Sequence, residues 1–294
     1  MKADYAKRGY HYVKNYGLSK LYLKAKERLE RDYQQWMISE RPADSEKELQ
    51  REHHFAYAPR ISVVVPVYKT PETFLREMVD SVLNQTYGNV ELCLADGSEE
   101  DHGPQKILEA YAAQDPRIRY EKLPKNLGIA GNTNAALDLA TGEYVALLDH
   151  DDFLEEHALF ELVKWLQTHP EADMIYTDED KVSFDSATFF QPHFKPDFNP
   201  DLLRTNNYIC HFLMVKRTLM EQAGKYRESF DGAQDYDFIL RCSELAQEID
   251  HIPRVLYHWR CHPTSTAGNP ESKMYAYEAG RRALEEHLKR TSIS

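Results

Sequence analysis

Between residues 60 and 177, short apolar runs alternate with longer stretches whose apolar positions recur every three or four residues. Residues 61–68, 90–95 and 144–148 are β-branched or apolar runs, and shorter ones fall at 118–120 and 174–176. Such runs, bounded by turn residues, predict buried strands. Helices are predicted after Thr70, over 103–113, through 127–137 and over 155–168. Thr70, Pro71 and Glu72 supply an N-cap, a proline at the first helical position and an acid in the first turn. Phe74, Leu75, Met78, Val79, Val82 and Leu83 then trace one buried stripe. This alternation predicts an α/β fold, Rossmann-like, with a mainly parallel central sheet and helices on both faces.

The flanks read differently. Over 1–40, Leu18, Leu21, Tyr22, Ala25, Leu29, Tyr33 and Trp36 recur at helical spacing, with Tyr12 and Tyr16 before them. A polar stretch, 40–52, is predicted to link this arm to the body. The expected division is therefore 1–55 as a basic helical arm and linker, and 56–294 as one domain. After Thr177 the alternation breaks. Residues 178–181 and 189–200 give little regular signal, then come a strand at 208–215, a loop running into a helix at 230–240, a strand at 255–259 and a closing helix at 271–290.

Charge changes the picture at one end. The formal charge of the 294 residues is −12, which argues against a general nucleic-acid binder. Residues 1–31 nonetheless carry a net +6, leaving −18 on the rest. A basic helix with interleaved tyrosines suits an anionic lipid surface; packing on the body or on a second copy in a homo-oligomer is the alternative. Cys93, Cys210, Cys242 and Cys261 show no metal-ligand spacing, and reduced thiols in a cytoplasmic setting are expected, with peripheral contact at the inner membrane face through residues 1–40. No leader-like apolar segment is seen at the start, and no run is long enough to span a bilayer.

The chemistry concentrates where the run at 144–148 ends. Asp149, Asp151 and Asp152 put three carboxylates within four residues. Ligands of open α/β sheets bind beyond the carboxyl ends of the strands. Carboxylates this close repel one another, and a divalent cation with hard oxygen ligands relieves that. The prediction is a metal–diphosphate site; the competing reading is a solvated acidic loop with Asp152 as a helix N-cap. Two further strand ends, at Pro66–Tyr68 and at Asp96, Gly97 and Ser98, point to the same edge. No glycine-rich loop follows the first strand, which argues against a dinucleotide oxidoreductase and against a triphosphate-binding nucleotidyltransferase.

With the segments 64–68, 81–87, 95–98, 126–129, 149–152, 233–238 and 256–260 in this order, residues 60–290 resemble a family 2 inverting glycosyltransferase of GT-A fold, the bacterial polysaccharide type, with a rhamnosyltransferase as one option. Ala95 departs from the pattern, since many members carry a second Asp there, and the Q-x-x-R-W signature of processive synthases is absent. The resemblance implies a nucleotide-binding half over about 60–150 and an acceptor half over 151–294. It implies a dTDP- or UDP-linked hexose donor, a saccharide or lipid-linked saccharide acceptor, and Mn²⁺ or Mg²⁺. Asp151 would bind the metal and Asp149 the ribose or the metal, with His258 completing the metal or diphosphate site and His262 as its rival. Pro66, Tyr68, Asp96, Asn126, Gly128, Asn132, His150 and Arg260 would line the nucleotide sugar, with Asn134 nearby. Asp235 would be the base, although spacing alone fits a helix N-cap equally. Asp237 should face elsewhere. Asp178, Glu179 and Asp180 would line the acceptor side. A non-catalytic sugar-nucleotide or glycan-binding module of a larger transferase is the alternative function.

Overall fold

The computed structural model describes residues 2–261 and 274–293. Three parallel pairings form the first half of the sheet. β1 (Ile61–Val67) lies between β2 (Val90–Asp96) and β4 (Tyr144–Leu147), and β3 (Ile118–Lys122) flanks β2. Every residue of β1 and β2 is buried, as expected for strands covered on both faces. The covering helices are α3 (Glu72–Leu83), α4 (His102–Gln114) and α5 (Gly128–Leu139). The stripe from Phe74 to Val82 is the buried side of α3. Helix α3 starts one residue later than predicted, with Pro71 at the cap, and the Thr70 hydroxyl turns to His150 Nδ1 at 3.0 Å.

Beyond β4 the sheet becomes mixed. Its order is β3-β2-β1-β4-β8-β6-β9-β5, with β7 on β6. β8 (Leu213–Lys216) is antiparallel to β4 and to β6 (Met174–Val182), while β9 (Ile249–Arg260) runs parallel to β6. β5 (Phe153–Leu154) and β7 (Phe189–His193) are short antiparallel additions. The mainly parallel expectation therefore holds for the first half alone. The helices of this half are α6 (Ala158–Leu166), α7 (Pro200–Leu203), α8 (Arg217–Ala223), α9 (Gln234–Leu245) and α10 (Met274–Arg290).

One sequence expectation gives way here. β6 continues through residues 178–181, read as irregular, because their charges are matched from distant parts of the chain. The stretch at 40–52, predicted to link the arm to the body, is packed on the body. It contains α2 (Asp44–Glu52), whose Gln50 side chain accepts from Thr86 Oγ1 at 2.8 Å and whose Lys47 pairs with Glu156 at 3.1 Å. The predicted arm is one helix, α1 (Lys2–Glu40). Its foot is anchored: Met37 is buried, and Tyr33 donates to Asp180 at 2.7 Å. Leu18, Tyr22, Leu23 and Leu29, in contrast, stand exposed. The side chains of Tyr12 and Tyr16 lie outside the described residues. Among the described residues, no helix is long and apolar enough to cross a membrane.

Candidate active site

The ends of β1, β2 and β4 bring the predicted rim together. Parallel pairing sets Val64 opposite Leu147, so Pro66 and Asp149 emerge on one edge. Asp149 is recessed but open to a cleft, with 44% of its side chain exposed. Enclosure by the cleft walls and the neighbouring Asp151 raise its carboxyl to about 6. Asp152 behaves differently from its neighbours. It is fully buried, accepts from Tyr257 Oη and from the Arg260 backbone N–H at 2.7 Å, and is pushed well up by burial and by Asp151 and Asp149. It therefore ties the acidic loop to β9 and caps no helix.

The cleft holds about 360 Å³. Pro66, Leu148, Asp149, His211, Asp235 and Trp259 are among its walls. Asp235 sits in the first turn of α9 and accepts from Gln234 Nε2 at 3.1 Å. Burial and the charge of Asp149 raise its carboxyl to about 6. Asp237, two residues on, points away into the body, gripped by Arg227 and Arg241. The turn before α9 needs Gly232: its φ is +93°, and an added Cβ would lie 2.5 Å from the Tyr275 ring.

Sequence reasoning missed His211. It lies in an irregular segment, and no spacing rule marks it. Its Nε2 is 3.6 Å from an Asp149 oxygen, its ring stacks on Tyr257 at 4.7 Å, and burial pushes its pKa down. His211 therefore lines the same cleft as Asp149 and Asp235. Its Nδ1 is buried with no partner among the described residues.

The nucleotide-side candidates divide. Pro66 lines the cleft and Tyr68 is exposed at the rim beside it. His150 is held by Thr70 next to Asp151, 4.0 Å away. Asp96, expected to line the nucleotide sugar, is fully buried and accepts from the Ser98 N–H, Tyr120 Oη and Lys122 Nζ. In this structure it shapes the strand-end turn. Asn126 and Asn132 likewise hold their own loop. Asn126 Oδ1 accepts from the Gly128 N–H and Asn132 Nδ2, each at 3.0 Å, and Asn132 Oδ1 accepts from the Leu127 N–H. Gly128 takes φ +77° at the bend. Asn134 is exchanged entirely with the Tyr226 backbone.

Three further expectations are corrected. His258 does not face the rim carboxylates. It is fully buried, with Nδ1 2.6 Å from Asp180 and Nε2 2.8 Å from Glu155. Burial lowers an imidazole, but these two carboxylates outweigh it and hold the ring protonated, up to about 9. A cation sandwiched in this way has no lone pair for a metal. Its rival His262 lies outside the described residues. Arg260 is not presented to a phosphate: it donates to the Asp151 carbonyl and Ser186, pairs with Glu77, and stacks on Phe74. Asp178, Glu179 and Asp180 do not line an acceptor side. They are buried in β6, on His251, on Lys195 and His193, and on His258 and Tyr33.

Among the described residues, no group of three or more His, Cys, Asp and Glu is arranged around a metal position. Asp149 and Asp151 still suit a hard cation. Asp149 lines the cleft, and Asp151 is close enough to add to the upward shift that enclosure causes in it. Mg²⁺ and similar ions are commonly held by one or two carboxylates plus substrate phosphates and water. The donor set therefore fits a site of oxygen ligands.

The parallel nucleotide-type half, the acidic end of β4 and the cleft shared with Asp235 define the GT-A class of glycosyltransferase fold. The chain belongs to glycosyl transferase family 2, whose model matches residues 62–224. It is 50% identical over 236 residues to an uncharacterized protein of Sinorhizobium fredii, covering 80% of this chain and 26% of that one. It is 37% identical to the O-antigen biosynthesis protein RfbC of Myxococcus xanthus, over 90% of this chain and 20% of that one. The chain thus spans about a fifth to a quarter of the length of these relatives. Among solved structures it resembles S. aureus TarS in complex with UDP, with a TM-score of 0.62 at 20% identity, over 78% of this chain and 65% of that one. It also resembles a mannosyltransferase of Pyrobaculum calidifontis in complex with GDP-Man and Mn²⁺, with a TM-score of 0.55 at 19% identity, over 85% of this chain and 70% of that one.

Proposed function

We propose that this chain transfers a hexose from a nucleoside diphosphate to a hydroxyl of a saccharide acceptor, in the synthesis of a bacterial surface polysaccharide. The observation that carries the reading is the pairing of Asp149 and Asp235 on the walls of one cleft, both raised toward neutrality, with His211 in the same wall. Asp235, within reach of an acceptor hydroxyl, takes its proton. The hydroxyl oxygen forms a bond to the anomeric carbon as the bond to the diphosphate oxygen breaks on the opposite face, inverting that centre. A divalent cation, Mn²⁺ or Mg²⁺, bound by Asp149 and Asp151 would stabilise charge on the departing diphosphate. The rim built by Pro66, Tyr68 and the Asn126–Asn132 loop holds the nucleotide side, so residues of about 60–150 serve the donor and later ones the acceptor. The named functions of RfbC and TarS's bound UDP support this class of donor and product. Exposed apolar residues on the basic helix α1 support peripheral contact with an anionic membrane.

The test is a melting-temperature panel of dTDP- and UDP-sugars with and without Mn²⁺, followed by turnover with the best donor. A ligand of the native state raises the melting point by mass action. One donor should stand out, more so with metal. If no nucleotide sugar stabilises the protein, the reading fails.

A further inference from the structure

A second cleft, of about 680 Å³, meets the first at Gly232 and Asp235. The two lie on either side of the turn that opens α9. The first turn of α10 stands over that turn. Tyr275 faces the first cleft, and Ala276 and Tyr277 face the second. Asp235 is thus a wall shared by two spaces, and the reading above fills only one of them.

The lining of the second space says what it suits. Tyr236 and Tyr277 are two aromatic walls, and Tyr277 is 63% exposed. Tyrosine rings offer a flat apolar face with a polar edge, which matches the apolar and hydroxylated faces of a pyranose ring. Asn206 and Asn207 supply amides, and Asn207 Oδ1 is buried without a partner among the described residues. The wall's two arginines are already matched, Arg204 to Asp201 at 2.8 Å and Arg281 to Glu278 and Glu285. The lining therefore selects for hydroxyls and ring faces, with its positive charge already used.

We propose that this second cleft binds the acceptor, and that the acceptor's reacting end is a neutral oligosaccharide lying against Tyr277. This rests on Asp235 being the base, but its binding step can be read without turnover. The probes are neutral trisaccharides of gluco, galacto and manno configuration, with a uronate-containing disaccharide as the charged comparison. Saturation-transfer NMR on the full chain, without donor, reads their binding. At least one neutral trisaccharide should receive saturation and the uronate should not. Tyr277→Ala should weaken that binding by about tenfold or more, as loss of an aromatic anchor does, and Tyr277→Phe should restore it. In turnover, Tyr277→Ala should raise KM for the acceptor far more than it lowers kcat. Absence of neutral saccharide binding, preference for the uronate, or equal binding by the Ala variant overturns the assignment. Should no donor be turned over while these saccharides bind as described, the transferase reading falls and the saccharide cleft stands.

Discussion

Asp235 carries the most chemistry per atom in this molecule. Its carboxyl is raised to about 6, so the proton-accepting form is populated only above that pH. Transfer should rise with pH through an acid limb near 6, read from kcat/KM against pH. Asp235→Asn should lower kcat by roughly 10²–10⁴-fold, the range for losing a general base. The same substitution should stabilise the fold at neutral pH. The folded-state carboxyl binds its proton more tightly than the unfolded chain's, so the native state is penalised above about pH 6, and that penalty fades as pH falls toward 3.8. Melting curves should show Asp235→Asn ahead by roughly 1–2 kcal/mol at pH 7 and level with the parent near pH 4. A variant that is less active yet no more stable at pH 7 would contradict the buried-charge account. Asp151→Asn should abolish calorimetric Mn²⁺ binding as well as turnover; unchanged Mn²⁺ affinity would remove Asp151 from the metal site.

At the scale of single elements, β9 separates two worlds. Tyr257 and Trp259 turn toward the cleft, and His258 and Arg260 turn to the opposite face. On that face, His258 and Arg41 hold Glu155 down to about 2 although burial works against it. Replacing His258 with Ala would leave Asp180 and Glu155 as buried, poorly matched acids. The expected loss is about 3–5 kcal/mol, measured by urea denaturation at pH 7. Because the imidazole's pKa is raised to about 9, its contribution is complete below pH 6.5 and disappears as pH climbs through 9. A parent protein whose stability is flat from pH 7 to 10 would sink this assignment. These elements also show what was legible. β1, β2, β4 and α3 were readable because their apolar spacing is a local property. β6 was not, because residues 178–180 look like a solvated turn until His251, Lys195 and His258 are brought against them from 16 to 78 residues away. His258 was found at the right place in the chain and given the wrong neighbours, for the same reason. His211 had no local signal at all, since only the fold sets it beside Asp149.

Considered whole, the molecule is an acidic body carrying a basic helix. Residues 1–31 hold a net +6 against −18 on the remainder. Each basic residue near an anionic membrane surface adds on the order of 1 kcal/mol of attraction. The chain should therefore float with vesicles containing phosphatidylserine or phosphatidylglycerol, less so at high salt. Removal of residues 1–31 should release it, and equal flotation without them would rule out the arm as the contact. The overall architecture was legible where it is periodic, including the arm and the closing helix. The placement of α2 against Thr86 and Glu156 was not, because a polar helix shows no apolar stripe.

The foot of α1 has a practical meaning for anyone shortening this chain. Tyr33 and Arg41 each satisfy one of the two acids that embrace His258. A cut before residue 33 keeps both partners, whereas one beyond 41 uncorks the interior and leaves three ionised groups to rearrange or let water in. The boundary between dispensable and indispensable therefore falls inside a single continuous helix, where no linker, glycine or proline would advertise it.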